Sequence, residues 1–125
     1  MIIDTDVLIW FLRGNEKAKE TVINAIPFSI SVVTYMELVQ GMRNKAEFEQ
    51  MKSAFKQMKV RILPLSEKIS MLAAEYVGEY FLSNSMEMAD ALIASTCIEN
   101  AATLLTANDK HYRVIEELDM SVFRP

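Results

Sequence analysis

The sequence contains little cysteine and little glycine: one cysteine, Cys97, and three glycines among 125 residues. A single cysteine excludes an intramolecular disulfide framework and a zinc site built on paired cysteines, and the simplest compartment for such a chain is the cytoplasm. Because Gly14, Gly41 and Gly78 stand far apart, there is no glycine-rich phosphate-binding loop. No apolar run approaches the roughly 18 residues of a membrane span, and residues 1–4 lack the basic start of a signal peptide. We therefore expect no association with a membrane.

Basic residues are also few, with 13 Lys and Arg against 17 Asp and Glu and a net charge of −4. A protein that binds nucleic acid through phosphate contacts is expected to carry an excess of Lys and Arg. A cluster of carboxylates around a metal ion would make the balance acidic by itself, and the bound ion would reverse the local sign. The charge therefore weakens the case for a nucleic-acid substrate without excluding one.

Apolar residues make up 51% of the sequence, which suffices for one domain, residues 1–125, with its own hydrophobic core. Short apolar runs that favour strands alternate with longer amphipathic segments that favour helices. The predicted strands are residues 2–4, 28–32, 60–63, 103–106 and 122–123. The predicted helices are residues 46–58, an apolar stripe at 69–80 with Ser66 as N-cap, and residues 87–99. This alternation predicts an α/β protein with helices on both faces of a parallel sheet.

Carboxylate and amide side chains recur where the predicted strands end. They are Asp4 and Asp6 after the first strand, Glu37 after the second, Asp90 at the start of the third predicted helix, and Asn108 and Asp109 after the fourth strand. Because function in open parallel sheets collects at the carboxyl ends of the strands, we expect these four segments to converge at one edge.

Some of these residues also have a purely structural interpretation. Asp6 fits the N-cap of a helix that begins at Val7. Glu37 fits a capping box with Thr34, in the first turn of a helix that begins near Thr34. The structural interpretation is favoured for Asp6, whereas for Glu37 the structural and functional interpretations are equally good.

Among the residues later in the chain, the two interpretations are equally good for Asp90, and the structural one is favoured for Asn108 and Asp109. Asp90 in a first turn suits the helix dipole, and Asn108 with Asp109 suits a turn. Asp4 is harder to explain structurally, because a charge at the end of a central strand is costly to bury unless it is paired or bound to a metal.

Taken together, the acids favour a divalent cation. Carboxylates that are brought close repel one another and raise their own pKa values, and a hard ion such as Mg²⁺ or Mn²⁺ with oxygen ligands relieves that repulsion. One water of the ion can become a nucleophile, and its charge can stabilise a phosphate in the transition state. With one histidine and one cysteine in the chain, zinc is not indicated.

Four segments resemble the ordered motifs of the PIN domain family. They are IIDTDVLI at residues 2–9, SVVTYMELVQG at 31–41, DALIAST at 90–96 and TLLTANDKHY at 103–112. Each motif is weak by itself, but the ordered set spans nearly the whole chain at ordinary spacing. At this length the sequence looks most like the VapC-type toxin ribonucleases.

The resemblance implies a PIN-like three-layer α/β/α domain with a short central parallel sheet, and Mg²⁺- or Mn²⁺-dependent hydrolysis of RNA. It also implies a small cognate antitoxin that holds the enzyme inactive, and a homodimer. The residues that match the catalytic and metal-binding acids of the family are Asp4, Glu37 and Asp90, with Asp109 as a displaced fourth acid. Those that match auxiliary positions around the ligands are Asp6, Thr106 and Asn108. Whether Asn108 or Asp109 completes the site stays open.

Further residues are candidates for contacts with RNA or a partner. Arg43 and Lys45 follow the Glu37 helix, near the expected crevice, and are candidates for phosphate contacts. His111 is interpreted as a surface residue, since nothing nearby in the sequence orients it. Residues 7–12 form an apolar run longer than one helix face needs, so part of it is expected to be exposed, which would suit a protein partner or a dimer contact. Ordinary core packing is an equally good interpretation of this run.

Two other functions remain open. A PIN-like module could bind RNA or a partner without cutting, and Asn108 in the fourth motif keeps this alternative. A receiver-type phosphoacceptor domain also places acids after its first strand, but it needs an acid after its third strand, where this chain has Pro64.

Overall fold

The computed structural model describes residues 1–125 as five short strands and seven helices. In chain order the elements are β1 (Ile2–Ile3), α1 (Thr5–Leu12), α2 (Glu16–Asn24), β2 (Ser29–Ser31), α3 (Val32–Gln40), α4 (Lys45–Gln57), β3 (Arg61–Leu63), α5 (Glu67–Asn84), α6 (Met88–Glu99), β4 (Leu104–Thr106), α7 (Asp109–Tyr112) and β5 (Met120–Val122).

The five strands form one parallel sheet in the order β3-β2-β1-β4-β5. Ile2 of the central strand β1 is in register with Ser29 of β2 on one side and with Leu104 of β4 on the other. The chain builds outward from β1 to β3 and then crosses to the opposite side for β4 and β5. This reversal creates a topological switch point at the carboxyl ends of β1 and β4, which is where open α/β sheets form their ligand crevices.

The two faces of the sheet bury two separate hydrophobic clusters. Ile2 and Leu104 belong to the cluster that side chains of α5 and α6 complete. Ile3 and Leu105 belong to the cluster that side chains of α1, α2, α3 and α4 complete. Successive strand residues point to opposite faces, so both faces need a helical cover. The predicted three-layer α/β/α arrangement is therefore confirmed.

The helices predicted at residues 46–58 and 87–99 are present as α4 and α6 with ends shifted by at most one residue, and α5 extends four residues beyond the apolar stripe at 69–80. Ser66 is the N-cap of α5, and its Oγ accepts a hydrogen bond from the backbone N–H of Ile69 at 3.1 Å. Cys97 is fully buried in α6. The short helices α2 and α7 are not among the predicted elements. Asn15 is the N-cap of α2, and its side chain accepts a hydrogen bond from Ala18 N–H at 2.9 Å.

The helix that carries Glu37 begins earlier than predicted. Ser31, the last residue of β2, is its N-cap, and Ser31 Oγ accepts a hydrogen bond from Val33 N–H at 3.1 Å. The capping box of Thr34 with Glu37 is therefore wrong, because Thr34 lies inside α3. Since β2 runs into α3 without a loop, Glu37 comes to lie in the second turn.

The first helix also begins earlier than predicted. Asp4 is the N-cap of α1, whose first residue is Thr5. The interpretation of Asp6 as the cap of a helix that begins at Val7 is therefore wrong, although Asp6 Oδ1 accepts a hydrogen bond from Val7 N–H at 2.7 Å. Asp6 lies in the first turn of α1, where its second carboxylate oxygen is free to reach another segment.

None of the helices combines the length and the apolar character that a membrane span requires. The receiver-type alternative is wrong, because receiver domains have the strand order 2-1-3-4-5 and this sheet has the order β3-β2-β1-β4-β5.

Candidate active site

Asp4 lies at the switch point and joins the two central strands. Its side chain is almost completely buried, with 4% of the residue exposed. Asp4 Oδ1 accepts a hydrogen bond from Thr5 N–H at 2.8 Å, and Oδ2 accepts one from the hydroxyl of Thr106 at 2.8 Å. Thr106 ends β4 and its Oγ1 in turn accepts a hydrogen bond from Asn108 N–H at 3.0 Å. The predicted auxiliary positions Thr106 and Asn108 therefore adjoin Asp4.

The charge of Asp4 is unfavourable in this environment. Burial raises the pKa of Asp4 to about 7, and repulsion from Asp6 is the second cause. The hydrogen bonds from Thr106 and Thr5 oppose the shift without cancelling it. A carboxylate in such a position is stabilised in its charged form by a nearby cation.

Asp6 connects the start of α1 to the loop after β4. Its Oδ2 accepts a hydrogen bond from Ala107 N–H at 3.0 Å. Burial raises the pKa of Asp6, and the charge of Asp90 adds to the increase. The charge of Asp6 thus acts on the pKa of Asp4 and the charge of Asp90 on that of Asp6, and we call these three residues the acid cluster.

Asp90 is half-buried in the first turn of α6 and touches two residues of α7. Its Oδ1 accepts a hydrogen bond from the Tyr112 hydroxyl at 3.2 Å, and its Oδ2 lies 3.3 Å from His111 Nδ1. Burial raises the pKa of Asp90, while His111 and Tyr112 act in the opposite direction. His111 is a surface residue, as predicted, but the statement that nothing orients it is wrong.

Tyr112 is a site residue that the sequence did not reveal. It is fully buried, and burial together with the charges of Asp4 and Asp90 raises the pKa of its hydroxyl well above the ordinary value. Its hydroxyl therefore stays protonated and donates its hydrogen bond to Asp90. The only signal in the sequence is its position at the end of the fourth motif.

Glu37 reaches the acid cluster through a threonine. Thr5 Oγ1 donates a hydrogen bond to Glu37 Oε1 at 2.8 Å and forms a hydroxyl–hydroxyl hydrogen bond with Thr34 Oγ1 at 3.0 Å. Because Thr5 follows Asp4 directly in the chain, this contact brings Glu37 to the same edge of the sheet. Glu37 itself is exposed, so its side chain can adopt other rotamers without disturbing the core.

Asp109 has two arginine partners. Arg124 Nη2 donates to Asp109 Oδ1 at 2.8 Å, and Arg113 Nη2 donates to Asp109 Oδ2 at 2.8 Å. Hydrogen bonds from Arg124 and Arg113 lower the pKa of Asp109 to about 2. Both oxygens of this carboxylate are therefore engaged. Asn108, the other candidate for the fourth position, is exposed and its side chain makes no capping hydrogen bond to α7.

The two proposed phosphate contacts lie at the start of α4. Arg43 Nε and Nη2 both bind Glu47 Oε2, at 3.0 and 2.6 Å, so the charge of Arg43 is already paired. Lys45 is the first residue of α4 and is exposed. Arg43 borders the same cavity as Glu37.

The acids supply oxygen atoms that suit a hard cation, but they are not arranged as a complete coordination shell. Asp4, Asp6 and Asp90 offer carboxylate oxygens, which Mg²⁺ and Mn²⁺ prefer, and the pKa values of all three are raised. No group of three or more Asp, Glu, His or Cys side chains is arranged to hold a metal ion as it stands. Mg²⁺ keeps several waters and needs as few as one or two protein carboxylates, so the donor set fits such an ion.

The model of the PIN domain family matches residues 1–117. The chain therefore belongs to the PIN-domain family, and the ordered set of motifs is confirmed as a PIN signature. Within that family the chain is similar to the VapC ribonucleases. It is 33% identical over 124 residues to Ribonuclease VapC10 of Mycobacterium tuberculosis (strain CDC 1551 / Oshkosh), and the match covers 94% of this chain and 90% of that protein.

Solved structures with the same fold include two assemblies. A toxin-antitoxin complex from Klebsiella pneumoniae has a chain with a TM-score of 0.79 and 24% identity, covering 94% of this chain and 93% of that chain. VapBC2 from Rickettsia felis, bound to a DNA fragment from its promoter, has a chain with a TM-score of 0.80 and 19% identity, covering 98% of both chains. At these identities the likeness shows the fold alone.

Proposed function

We propose that this protein is a Mg²⁺- or Mn²⁺-dependent endoribonuclease, the toxin of a type II toxin–antitoxin pair. The observation that carries the proposal is that Asp4, Asp6 and Asp90 each accept a hydrogen bond from the segment 106–112, at the switch point of the sheet of a PIN-family chain. The similarity to Ribonuclease VapC10 of M. tuberculosis supports RNA as the substrate.

The residues that would hold the metal ion are Asp4 and Asp90, with Glu37 joining after a change of rotamer and Asp6 as an auxiliary. Asp109 is the fourth acid of the sequence prediction, but the contacts on both of its oxygens support a different task, which is to hold two arginines. When bound, the ion would stabilise negative charge on the scissile phosphate and activate a water molecule.

The protein's own contribution is to fix the orientation of the acids. The Thr106 hydroxyl and Thr5 N–H hold the carboxylate of Asp4, and Ala107 N–H holds that of Asp6. The buried Tyr112 hydroxyl donates to Asp90. Neighbours that orient ligands in this way commonly contribute 10- to 100-fold to metal affinity or activity.

Two observations favour a second candidate, a PIN-like module that binds RNA or protein but cuts weakly. No group of three or more ligand-type side chains is pre-arranged for a metal ion, and Asn108 offers a neutral oxygen in place of a carboxylate. This candidate and the ribonuclease proposal predict the same fold and differ in turnover.

The experiment that separates them is RNA cleavage by the purified protein with Mg²⁺, with Mn²⁺ and with EDTA. The ribonuclease proposal expects cleavage that depends on the metal ion and is lost in Asp90→Asn. A matched control is Asp119→Asn, since Asp119 is an exposed acid at the amino end of β5, away from the acid cluster. RNA binding without cleavage under all metal conditions would favour the weakly cutting module.

A groove next to the acid cluster supports a protein partner. A cavity of about 820 Å³ opens between α1, α3 and α4, and a little over half of its lining residues are hydrophobic, among them Leu12 and Leu38. Glu37 also lines it. As expected for the run at residues 7–12, Trp10 and Leu12 are exposed at 37% each. We propose that a small antitoxin covers this groove with apolar side chains and extends a basic side chain toward Glu37.

Co-expression with the neighbouring reading frame tests this part of the proposal. The expected result is a stable complex in which cleavage is inhibited, and Leu12→Asp should weaken it. A protein that is not toxic alone and forms no complex with a neighbouring product would contradict the toxin assignment.

We also propose a homodimer, for which the exposed Phe81 and Leu82 of α5 are candidate contacts. Sedimentation velocity of the wild type and of Leu82→Lys compares their oligomeric states, and the variant should be the more monomeric of the two.

A further inference from the structure

A small polar cavity of about 370 Å³ lies at the loop that follows β4, next to the acid cluster. Its lining residues are Ala107, Asn108, Asp109, Lys110, His111 and Arg124, and we call it the basic pocket. One of the six is hydrophobic. The groove between α1, α3 and α4 is a different cavity with a largely apolar lining and no lining residue in common with this one.

The basic pocket carries positive charge that the protein itself leaves uncompensated. Among its lining residues Lys110 and Arg124 are positive and Asp109 is negative, so two minus one leaves a net +1 before His111 is counted. Arg113, which binds the same Asp109 carboxylate from outside the lining, adds a further positive charge next to the basic pocket. Lys110 is exposed and belongs to none of the ion pairs of the structure. In a chain with a net charge of −4, this is a local reversal of sign.

The arginines are held in place. Arg124 Nη1 donates to the carbonyl oxygen of Ala107 at 2.9 Å, and Arg124 Nη2 binds Asp109. Arg113 binds the other oxygen of the same carboxylate. The carboxylate of Asp109 therefore binds one guanidinium group with each oxygen. Each guanidinium group keeps further N–H donors for a ligand. Guanidinium groups with fixed positions suit phosphate oxygens.

One loop separates the basic pocket from the acid cluster. Ala107 N–H donates to Asp6, and Asn108 N–H donates to the Thr106 hydroxyl that binds Asp4. His111 lines the basic pocket and lies 3.3 Å from Asp90. The basic pocket and the acid cluster therefore adjoin each other on the two sides of this loop.

We infer that the basic pocket binds a backbone phosphate of single-stranded RNA next to the phosphate that is cut, with Lys110 and Arg124 as the contacts. This inference rests on the proposed ribonuclease function. The acid cluster repels the RNA backbone, and a phosphate contact beside it supplies the attraction and sets the register of the strand. Phosphate contacts position a nucleic acid and carry no information about its base sequence, so the basic pocket is expected to act alike on all RNA sequences.

The test compares two lysine variants. Lys110→Gln removes a charge from the basic pocket. Lys56→Gln is the matched control, because Lys56 is an exposed lysine in the last turn of α4, just before β3 begins, and so lies at the opposite edge of the sheet. Lys110→Arg restores the charge. Binding of a short fluorescein-labelled single-stranded RNA of mixed sequence is followed by anisotropy in EDTA over a series of salt concentrations, and cleavage kinetics are measured with Mg²⁺.

We expect Lys110→Gln to weaken RNA binding by roughly 3- to 10-fold and to reduce the slope of log affinity against log salt by about 0.7, the value for one phosphate contact on a single strand. KM should rise to the same extent while kcat stays within about 2-fold. Lys110→Arg should recover most of the binding, and Lys56→Gln should behave as wild type. Unchanged melting temperatures would exclude a folding defect.

Three results would overturn the inference. If the wild type binds and cuts RNA and Lys110→Gln does the same with an unchanged salt slope, the inference fails while the proposed function stands. If Lys110→Gln impairs only the complex with a co-expressed partner protein, the basic pocket is a protein contact. If the wild type neither binds nor cuts RNA, the proposed function fails and the inference with it.

Discussion

Replacing Asp4 by asparagine should make the metal-free protein more stable at neutral pH while abolishing its activity. Burial, with repulsion from Asp6 as the second cause, raises the pKa of Asp4 from 3.8 to about 7. The folded state therefore pays a free-energy cost to ionise this carboxyl, and an amide of the same shape carries no charge. The same substitution removes a proposed metal ligand, so cleavage should fall by at least about 100-fold.

The magnitude follows from the size of the shift. A pKa that rises from 3.8 to about 7 corresponds to roughly 4 kcal/mol, at 1.36 kcal/mol per unit. Asparagine has one carbonyl oxygen where Asp4 offers two acceptors, to Thr5 N–H and the Thr106 hydroxyl, and the weakened hydrogen bond costs about 1 kcal/mol. The net gain of about 3 kcal/mol should raise the melting temperature by roughly 10 °C for a domain of this size.

The sign of the pH dependence is fixed by the direction of the shift. The folded state binds more protons than the unfolded state between pH 3.8 and about 7, so the wild type loses stability as pH rises through this window. Below pH 3.8 the carboxyl of Asp4 is neutral in both states, and the advantage of Asp4→Asn should disappear. Above pH 7 the difference should be constant.

Thermal melts in EDTA from pH 4 to pH 8 measure this difference, with Asp119→Asn as an exposed control that should follow the wild type. Added Mg²⁺ should raise the melting temperature of the wild type far more than that of Asp4→Asn, because a bound ion stabilises the state that binds it. The reasoning is refuted if Asp4→Asn melts below the wild type at neutral pH in EDTA, or if the difference does not change with pH.

Three further predictions concern other positions. Asp90→Asn should reduce RNA cleavage by about 100-fold or more with little change in melting temperature, and full activity in Mg²⁺ would remove Asp90 from the proposed metal site. Asp109→Ala should weaken RNA binding and leave the Mg²⁺ concentration for half-maximal cleavage unchanged, because both of its oxygens hold arginines. If that concentration instead rises well above the value for Asn108→Ala, Asp109 is the fourth ligand that the sequence predicts. Ala101→Gly should stabilise the protein by about 0.5–1 kcal/mol in a denaturant titration, because Ala101 has a φ of +49° just past α6, a conformation that favours glycine. A lower midpoint would contradict that account.

The fold was predictable wherever local forces decide the structure. The apolar run ending at residue 106 becomes β4, all three of whose residues are buried, as expected for a strand covered on both faces of a parallel sheet. The run ending at residue 63 becomes the edge strand β3, of which only Leu63 is buried. The periodic segments become α4 and α5 because each buries one apolar stripe, whereas α6 is buried on several sides, with consecutive buried residues from Ile93 to Cys97. Ser66 was identified as a cap because its hydroxyl satisfies an N–H three residues away. The acids were placed at one edge because parallel strands share a carboxyl end.

Competition between local signals could not be resolved from the sequence. Ser31 and Thr34 are both good N-caps, and pairing of Ser31 with Leu63 in the sheet fixes where β2 ends and α3 begins. That choice moves Glu37 from the first turn to the second.

The partners of the site residues were decided by the tertiary structure alone. Asp4 and Thr106 are 102 positions apart in sequence and meet because β1 and β4 are neighbours in the sheet. His111 meets Asp90 because α7 packs against α6, and Asp109 is withdrawn from the acids by Arg124, which lies beyond β5. Contacts of this kind depend on how separate elements pack together. Residue type and spacing predict which side chains can reach the edge of the sheet, while packing selects the partner that each one binds.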